Sequence, residues 1–250
     1  MLEKGLSKFW EKVSIKELDN GDLAIQLDEK TIKTPAGNQL IIPKNKKILA
    51  HMIVQEWTVL PSLKIKNFSL PLTSLSSRAI DTRGNREVQE QIIKDLMPYL
   101  DTDTMVVFSP SDEWDGRLRV AQEEMYRPIL AEVEQFWGVR LTWMDSDSGV
   151  IGNRQTPETK QKVVDWLLGL DEWQLTAVER TTLSAKSIIA ATNLIRRQMN
   201  ISQLAEAVGL ETQFQTERWG EVEDTHDVDY ADIRRHLGSS LILSYIHKTD

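Results

Sequence analysis

The stretch Leu27–Pro43, LDEKTIKTPAGNQLIIP, decides the fold class of this chain. Its apolar residues occur in short groups, around Ile32 and at residues 40–42, and polar residues separate the groups. The tetrapeptide PAGN at residues 35–38 supplies the residue types that turn a chain at low cost. Short apolar groups between such turns are typical of antiparallel strands, so the stretch predicts a β-meander.

The residues before this stretch continue the same pattern. Apolar residues alternate with polar ones at residues 13–15 and again at residues 23–27, and Asn20-Gly21 stands between the two groups. Alternation with a period of two is typical of a strand with one buried face. We therefore expect a small antiparallel sheet within about the first 42 residues.

Two amphipathic patterns after the sheet predict helices that cover one of its faces. Residues 44–60 and residues 70–81 both space their apolar residues by three and four, as one face of a helix requires, and residues 63–68 suggest a further short strand. A sheet with helices on one side is an α+β arrangement. The face predicted for the first helix consists of Ile48, Leu49, Met52, Ile53 and Trp57.

From Glu87 onward the apolar spacing is mostly helical, which predicts a C-terminal all-α bundle. A boundary at Gly84-Asn85 gives two domains, residues 1–84 and residues 85–250. Ser111 and Thr156 are candidate N-caps of two helices of the bundle.

One long helix is expected at the centre of the bundle. Asp171 and Gln174 resemble a capping box, and apolar and small residues follow without a polar face as far as Ile195. A short helix over residues 201–208, ended by Gly209, is expected next.

Composition and charge restrict the classes of function. The 250 residues are 40% hydrophobic and include no cysteine, and no window approaches the roughly 18 consecutive apolar residues of a membrane span. Residues 1–70 carry a net charge of +3, so residues 71–250 carry −11 of the total of −8. An acidic chain without a basic stripe is not expected to bind nucleic acid.

Few residues are candidates for catalysis or metal binding. The four histidines are scattered, and the sequence contains no phosphate-binding glycine loop of either common type and no nucleophile elbow. We expect no catalytic residue, cofactor or metal. The alternative is Asp101-Thr102-Asp103-Thr104, since magnesium-dependent phosphohydrolases use an Asp-x-Asp-x-Thr run with the first carboxylate as nucleophile and the second as acid and base. The run follows a helical pattern, which favours a capping and turn role for both carboxylates instead.

The most charged stretch of the chain runs from Glu211 to Arg235, ETQFQTERWGEVEDTHDVDYADIRR, with eight acids against three arginines. A helix is expected to end at Trp219-Gly220, because glycine takes a left-handed cap conformation at no steric cost. An acidic loop then follows before the helical spacing resumes at Ile233. The loop is either a solvated charged surface or a partner-binding site.

Several of these segments resemble one family when they are taken together. In chain order they are FWEKV, LDEKTIKTPAGNQLIIP, EW, LPLTSLSSRAID, YLDTDT, the helix at residues 122–128, FWGV and RWGEVED. The chain resembles the assembly chaperones for the alpha subunit of the F-type ATP synthase catalytic sector, also called the ATP synthase mitochondrial assembly factor 2 family.

The resemblance implies a non-enzymatic monomer that binds unassembled alpha subunit until beta subunit replaces it, with an auxiliary assembly factor as a further partner and no insertion into a membrane. It implies a mitochondrial matrix protein in its mature form without a transit peptide, or a protein of the bacterial cytoplasm as the alternative. The family's emphasis on acids near the WG motif implies that the partner-binding residues are Trp219, Gly220, Glu221, Glu223 and Asp224.

Overall fold

The computed structural model describes residues 8–60, 69–148, 154–220 and 226–246 of the chain, and only the backbone of Trp219 and residues 226–228. Within these ranges an antiparallel sheet with two covering helices precedes a set of packed helices, so the α+β fold class is confirmed. No helix in the described part is both long and apolar enough to cross a bilayer. The strand predicted at residues 63–68 lies outside the described residues.

The sheet is organised around its second strand. Strand β1 (Val13–Glu17) pairs with β2 (Leu23–Leu27) along its whole length, with Val13 opposite Leu27. On the remaining edge of β2, β3 (Lys30–Thr31) and β4 (Ile41–Ile42) pair one after the other, both antiparallel to β2.

This strand order differs from the predicted meander, in which β4 would have paired with β3. The PAGN turn belongs to a small loop that is closed by a bridge between Lys33 and Gln39. The N–H of Leu40 then donates to the carbonyl of Ile32 at 2.8 Å, and the N–H of Ile25 donates to the carbonyl of Leu40 at 3.1 Å. The loop therefore returns the chain to the edge of β2 that it had just left.

Helix α1 (Lys47–Thr58) covers the sheet with a narrower face than predicted. Leu49 and Ile53 are buried, whereas Ile48 and Met52 are 45% and 38% exposed, so the inclusion of these two residues in the buried face was wrong. Ala50 is buried instead, and its small side chain allows the helix to pack closely against the sheet.

Helix α2 (Pro71–Thr82) is fixed to α1 by the Glu-Trp pair of the sequence. The carboxylate of Glu56 accepts the N–H groups of Leu72 at 2.7 Å and Thr73 at 2.9 Å, which otherwise lack partners at a helix start. Burial raises the pKa of Glu56, and these hydrogen bonds oppose the rise. Trp57 donates its ring N–H to the hydroxyl of Thr73 at 2.9 Å.

Ten further α-helices and β-strands, together with short 3₁₀ turns, follow α2 within the described residues. Strands β5 (Val107–Phe108) and β6 (Met144–Asp145) form a short parallel pair, and helix α5 (Arg117–Trp137) continues across Pro128. Ser111 does not cap α5: its N–H donates to Asp147, and a 3₁₀ turn at Glu113–Gly116 precedes the helix, so the N-cap prediction for Ser111 was wrong. The elements are α3 (Arg86–Leu96), α4 (Pro98–Asp101), β5 (Val107–Phe108), α5 (Arg117–Trp137), β6 (Met144–Asp145), α6 (Pro157–Leu168), α7 (Glu172–Ala185), α8 (Ile188–Arg196), α9 (Ile201–Trp219) and α10 (His226–Ser244).

The single central helix predicted as far as Ile195 is two helices, α7 and α8, so that prediction was wrong. Lys186 adopts a left-handed conformation with φ of 54°, and the Ser187 hydroxyl caps α8 by accepting the N–H of Ala190 at 2.8 Å. Asp103 adds a second cap by accepting the N–H of Ile189 at 3.0 Å. The capping boxes of α7 and α9 and the Thr156 cap of α6 are present.

The end predicted for the helix that begins at residue 201 was also wrong. Helix α9 runs through Gly209, which was predicted to end it, because an isolated glycine is tolerated in a helix that packs well along its length. Leu204, Ala207 and Leu210 are buried on the same helix and continue the packed face past the glycine.

The apolar core of the sheet is completed by residues from the helical part. The cluster that contains Ile25 and Ile53 also contains Trp173, Ala177 and Leu243. Two ion pairs at the surface join α2 and the residue that follows it to α7: Arg78 pairs with Glu179 at 2.9 Å and Arg83 with Glu172 at 2.6 Å. The division into residues 1–84 and 85–250 stays a prediction, and the two parts share this core.

Candidate partner-binding site

The acidic loop joins the end of α9 to the start of α10. Helix α9 ends at Trp219 and α10 begins at His226. The structure therefore shows the two helix ends that carry the loop. The loop holds the three predicted binding acids, Glu221, Glu223 and Asp224, which lie outside the described residues.

The chain leaves α9 through a backbone conformation that favours glycine. Gly220 has φ of 82° and ψ of 161°, and its N–H donates to the carbonyl of Thr216 at 2.9 Å. The positive φ was predicted, but the extended ψ directs the chain away from the helix instead of closing a left-handed cap. A Cβ at this position would meet no atom within 4 Å, so the preference for glycine comes from backbone strain alone.

Two aromatic rings and two arginines fix the last turns of α9 to the turn before α5. Trp114 and Phe214 pack edge to face with ring centroids 6.3 Å apart. The guanidinium of Arg218 lies 5.0 Å from the centroid of Trp114, and that of Arg117 lies 5.8 Å from the centroid of Phe214. Each such cation–π contact stabilises by roughly 0.5–1 kcal/mol at an exposed position. These contacts position the helix end from which the acidic loop departs.

The turn that receives these contacts has three consecutive left-handed residues. The φ angles are 58° at Trp114, 55° at Asp115 and 74° at Gly116. This conformation costs an L-residue roughly 1–2 kcal/mol and is uncommon for a bulky side chain. Trp114 is only 6% exposed, so burial of its ring offsets part of the strain.

The start of α10 presents an exposed tyrosine. Tyr230 is 52% exposed, and the guanidinium of Arg234 lies 3.5 Å from the centroid of its ring. Asp229 is exposed in the first turn, where a negative charge interacts favourably with the helix dipole. Asp232 pairs with Arg235 at 3.2 Å. Part of the acidic stretch therefore stabilises the helix that follows the loop.

A buried lysine from the N-terminal part fixes the opposite end of α10. Lys46 donates to the carbonyl of Leu243 at 2.8 Å, and its Nζ lies 5.4 Å from the ring centroid of Trp173. Burial lowers the pKa of Lys46 to about 8, although Asp171 and Glu172 oppose this shift. A cation here satisfies carbonyls that have no partner within the helix.

Comparison with known proteins identifies the family. The model of the family described as ATP12 chaperone protein matches residues 7–134. The chain is 40% identical to the mitochondrial protein atp12 of Schizosaccharomyces pombe over 238 residues, which cover 95% of this chain and 81% of that protein. The chain belongs to the ATP12 chaperone family.

Two further comparisons agree with this membership. The mitochondrial ATP12 of Saccharomyces cerevisiae is 40% identical over an alignment of 277 residues, which covers 98% of this chain and 85% of the relative. The crystal structure of Atp12 from Paracoccus denitrificans shares the fold, with a TM-score of 0.79 at 24% identity, and the match covers 97% of this chain and 98% of that one. The yeast relatives are mitochondrial proteins, and this member of the ATP12 family is assigned to the mitochondrion as well.

In this ATP12 family member the Asp101–Thr104 run has structural partners. Asp103 is fully buried, and burial raises the pKa of its carboxyl to about 6. Its two oxygens accept the N–H groups of Met105 and Ile189. Thr104 donates its hydroxyl to the carbonyl of Ala185 at 3.0 Å. The run therefore holds the break between α7 and α8.

Asp101, the other carboxylate of the run, has different partners from Asp103. Asp101 accepts the N–H of Gln155 at 2.8 Å and pairs with Lys160 at 2.6 Å. A phosphohydrolase of the kind considered above needs both carboxylates open to one substrate, but Asp103 has no exposed surface. In the described part of the chain, no group of three or more histidines and acids could hold a metal ion.

The contacts that position the loop were not found from the sequence. Neither Trp114 nor Phe214 stands out in the sequence as a contact residue. Their contact joins positions 100 residues apart, and no local pattern indicates it. The Asp-Gly pair at residues 115–116 is the signal that could have predicted a turn there.

Proposed function

We propose that this ATP12 family member binds the unassembled alpha subunit of the F-type ATP synthase until the beta subunit takes its place. The observation that carries the proposal is the acidic stretch of residues 211–235, with eight acids against three arginines. Phe214 within this stretch fixes the end of α9, and Lys46 fixes the far end of α10. A loop on a fixed frame loses less entropy on binding than a free one.

Within this site we assign partner binding to Glu221, Glu223 and Asp224, with Trp219 and Gly220 directing the loop. Carboxylates that meet a basic or amide-rich patch steer the encounter and pair with it on docking. The backbone conformation of Gly220, which only glycine adopts without strain, supports the directing role of the Trp-Gly pair, because it sets the path by which the chain leaves α9.

Release follows from competition and needs no catalysis by the chaperone. An alpha subunit alone exposes a surface made for its neighbour, and such surfaces aggregate unless they are covered. A beta subunit that binds the same surface more tightly displaces the chaperone. The protein then acts as a monomer in the mitochondrial matrix, without enzymatic activity, and an auxiliary assembly factor is a further partner.

A capture experiment tests the partner. The purified protein, immobilised and exposed to a mitochondrial extract, is expected to retain ATP synthase alpha subunit and not beta subunit. Retention of beta alone, or of neither subunit, would refute the proposal.

A charge reversal tests the loop. Glu223→Lys is expected to weaken binding of purified alpha subunit by about thirtyfold, equivalent to about 2 kcal/mol, with an unchanged melting temperature. Glu206→Lys is the matched control, because Glu206 is an exposed acid on α9 well before the loop. Asp112 is not suitable as a control, because it lies two residues before Trp114, which contacts the end of α9. Equal binding by both variants would show that the loop is a solvated charged surface and not a partner-binding site.

A further inference from the structure

We infer that a cavity near the last turns of α9 receives an apolar side chain of the partner, beside a basic residue of that partner. The inference rests on the proposed function and adds a second point of contact. The cavity has a volume of about 380 Å³ and is lined by Asp115, Gly116, Arg117, Val120, Ala121 and Glu124.

The cavity lies near the end of α9, from which the loop departs. It is formed by the left-handed turn and the first two turns of α5, and Trp114 in that turn contacts both Phe214 and Arg218 of α9. Arg218 lies three residues before Glu221, the first acid of the loop. A partner segment that binds the loop therefore passes close to the cavity.

The lining of the cavity includes an aliphatic side chain that the fold leaves uncovered. Val120 is 55% exposed, although Leu118 and Tyr126 on the same helix are 1% exposed. Covering this surface with an aliphatic or aromatic side chain is favourable in proportion to the area removed from water. The backbone at Gly116 keeps the turn close, because a Cβ there would come within 3.1 Å of the carbonyl of Ser111.

The charges around the cavity indicate which apolar segment fits. Asp115 and Glu124 belong to the lining, and Asp112 and Glu113 are exposed immediately before it. The cation of the lining, Arg117, is directed to the ring of Phe214. An apolar side chain flanked by lysine or arginine therefore matches the cavity, and an acidic segment is repelled.

Binding of purified alpha subunit by variants of Val120 tests the inference. Val120→Ser is expected to raise the Kd by about five- to tenfold, and Val120→Ile to leave it within about twofold of the wild type, because only the serine removes the aliphatic contact. Val59→Ser is the matched control, since Val59 is 63% exposed at the end of α1. Circular dichroism and urea unfolding confirm that each variant is folded.

The outcomes separate this inference from the proposed function. If the wild type binds alpha subunit, Glu223→Lys weakens binding and Val120→Ser binds as tightly as Val59→Ser, the cavity is not a contact and the proposed function stands. If the wild type itself binds no alpha subunit, both are overturned. A selective loss with Val120→Ser supports the cavity as the second contact.

Discussion

Replacement of Asp103 by alanine should destabilise the whole chain more than any loop substitution. The carboxylate is fully buried and accepts the N–H groups of Met105 and Ile189, which Asp103→Ala would leave without acceptors. Each buried amide without a partner costs about 1–3 kcal/mol. The net loss of stability is smaller than the sum of these two costs, because the wild type itself loses stability by burying a charged carboxylate, whose pKa is raised to about 6. We expect the free energy of unfolding to fall by roughly 2–4 kcal/mol.

The destabilisation caused by Asp103→Ala should also depend on pH, whereas a loss of packing alone would not. The folded chain binds the Asp103 proton more tightly than the unfolded chain, in which the pKa is near its ordinary value of 3.8. The stabilising contribution is therefore complete below that value and decreases as the pH rises to about 6. The difference between wild type and Asp103→Ala should be larger near about pH 4.5 than near about pH 7.5.

Urea unfolding followed by tryptophan fluorescence measures both quantities. Asp95→Ala is the control, because Asp95 is exposed on α3 and accepts a side-chain N–H from exposed Gln91, so its loss should change the free energy of unfolding by no more than about 0.5 kcal/mol. A loss below about 0.5 kcal/mol for Asp103→Ala, or a loss that does not depend on pH, would refute the role assigned to this carboxylate.

Four other changes have defined outcomes. Because the pKa of Lys46 is lowered to about 8, the free energy of unfolding of the wild type is expected to rise between about pH 8 and 10.5; Lys46→Met should remove this rise, and urea unfolding across that range measures it. Glu56→Gln should lower the free energy of unfolding by about 1–3 kcal/mol, and a melting temperature equal to that of the wild type would contradict the capping role. Gly220→Ala should weaken capture of alpha subunit while the melting temperature changes little, because the strain of about 1–3 kcal/mol is released by moving the loop. A chain cleaved by protease near Gly84 should elute from a gel-filtration column as one species, since the sheet core includes Leu243, and separate elution of the fragments would contradict this.

Features that depend on neighbouring residues could be predicted from the sequence. Thr156 followed by proline and the Asp171 to Gln174 spacing give the starts of α6 and α7, because a cap is made by side chains within three residues of the amide they satisfy. The order of sheet and helices, and hence the fold class, follows from periodicity in the same way.

Features that depend on distant contacts could not be predicted. The break at Lys186 is stabilised by Asp103 and Thr104, more than 80 residues earlier, and within the local sequence the small and apolar residues support one continuous helix. The contact of α9 with Trp114 also joins residues that are distant in the sequence, so no local pattern predicts it. The assignment of the loop acids to partner binding rests on the family resemblance and stays a prediction.

The hydrogen bond from Lys46 to Leu243 has a consequence for the order of events during translation. After Lys46 is incorporated, 197 further residues must be added before its acceptor exists. Until then the amine and the apolar surface around Ile53 that Leu243 helps to cover remain open to water or to other chaperones. The helix that closes this surface at its end also carries the acidic loop at its start. If the loop binds the partner as proposed, the helix that presents the binding site is the same helix that completes the core, and both are expected to form together.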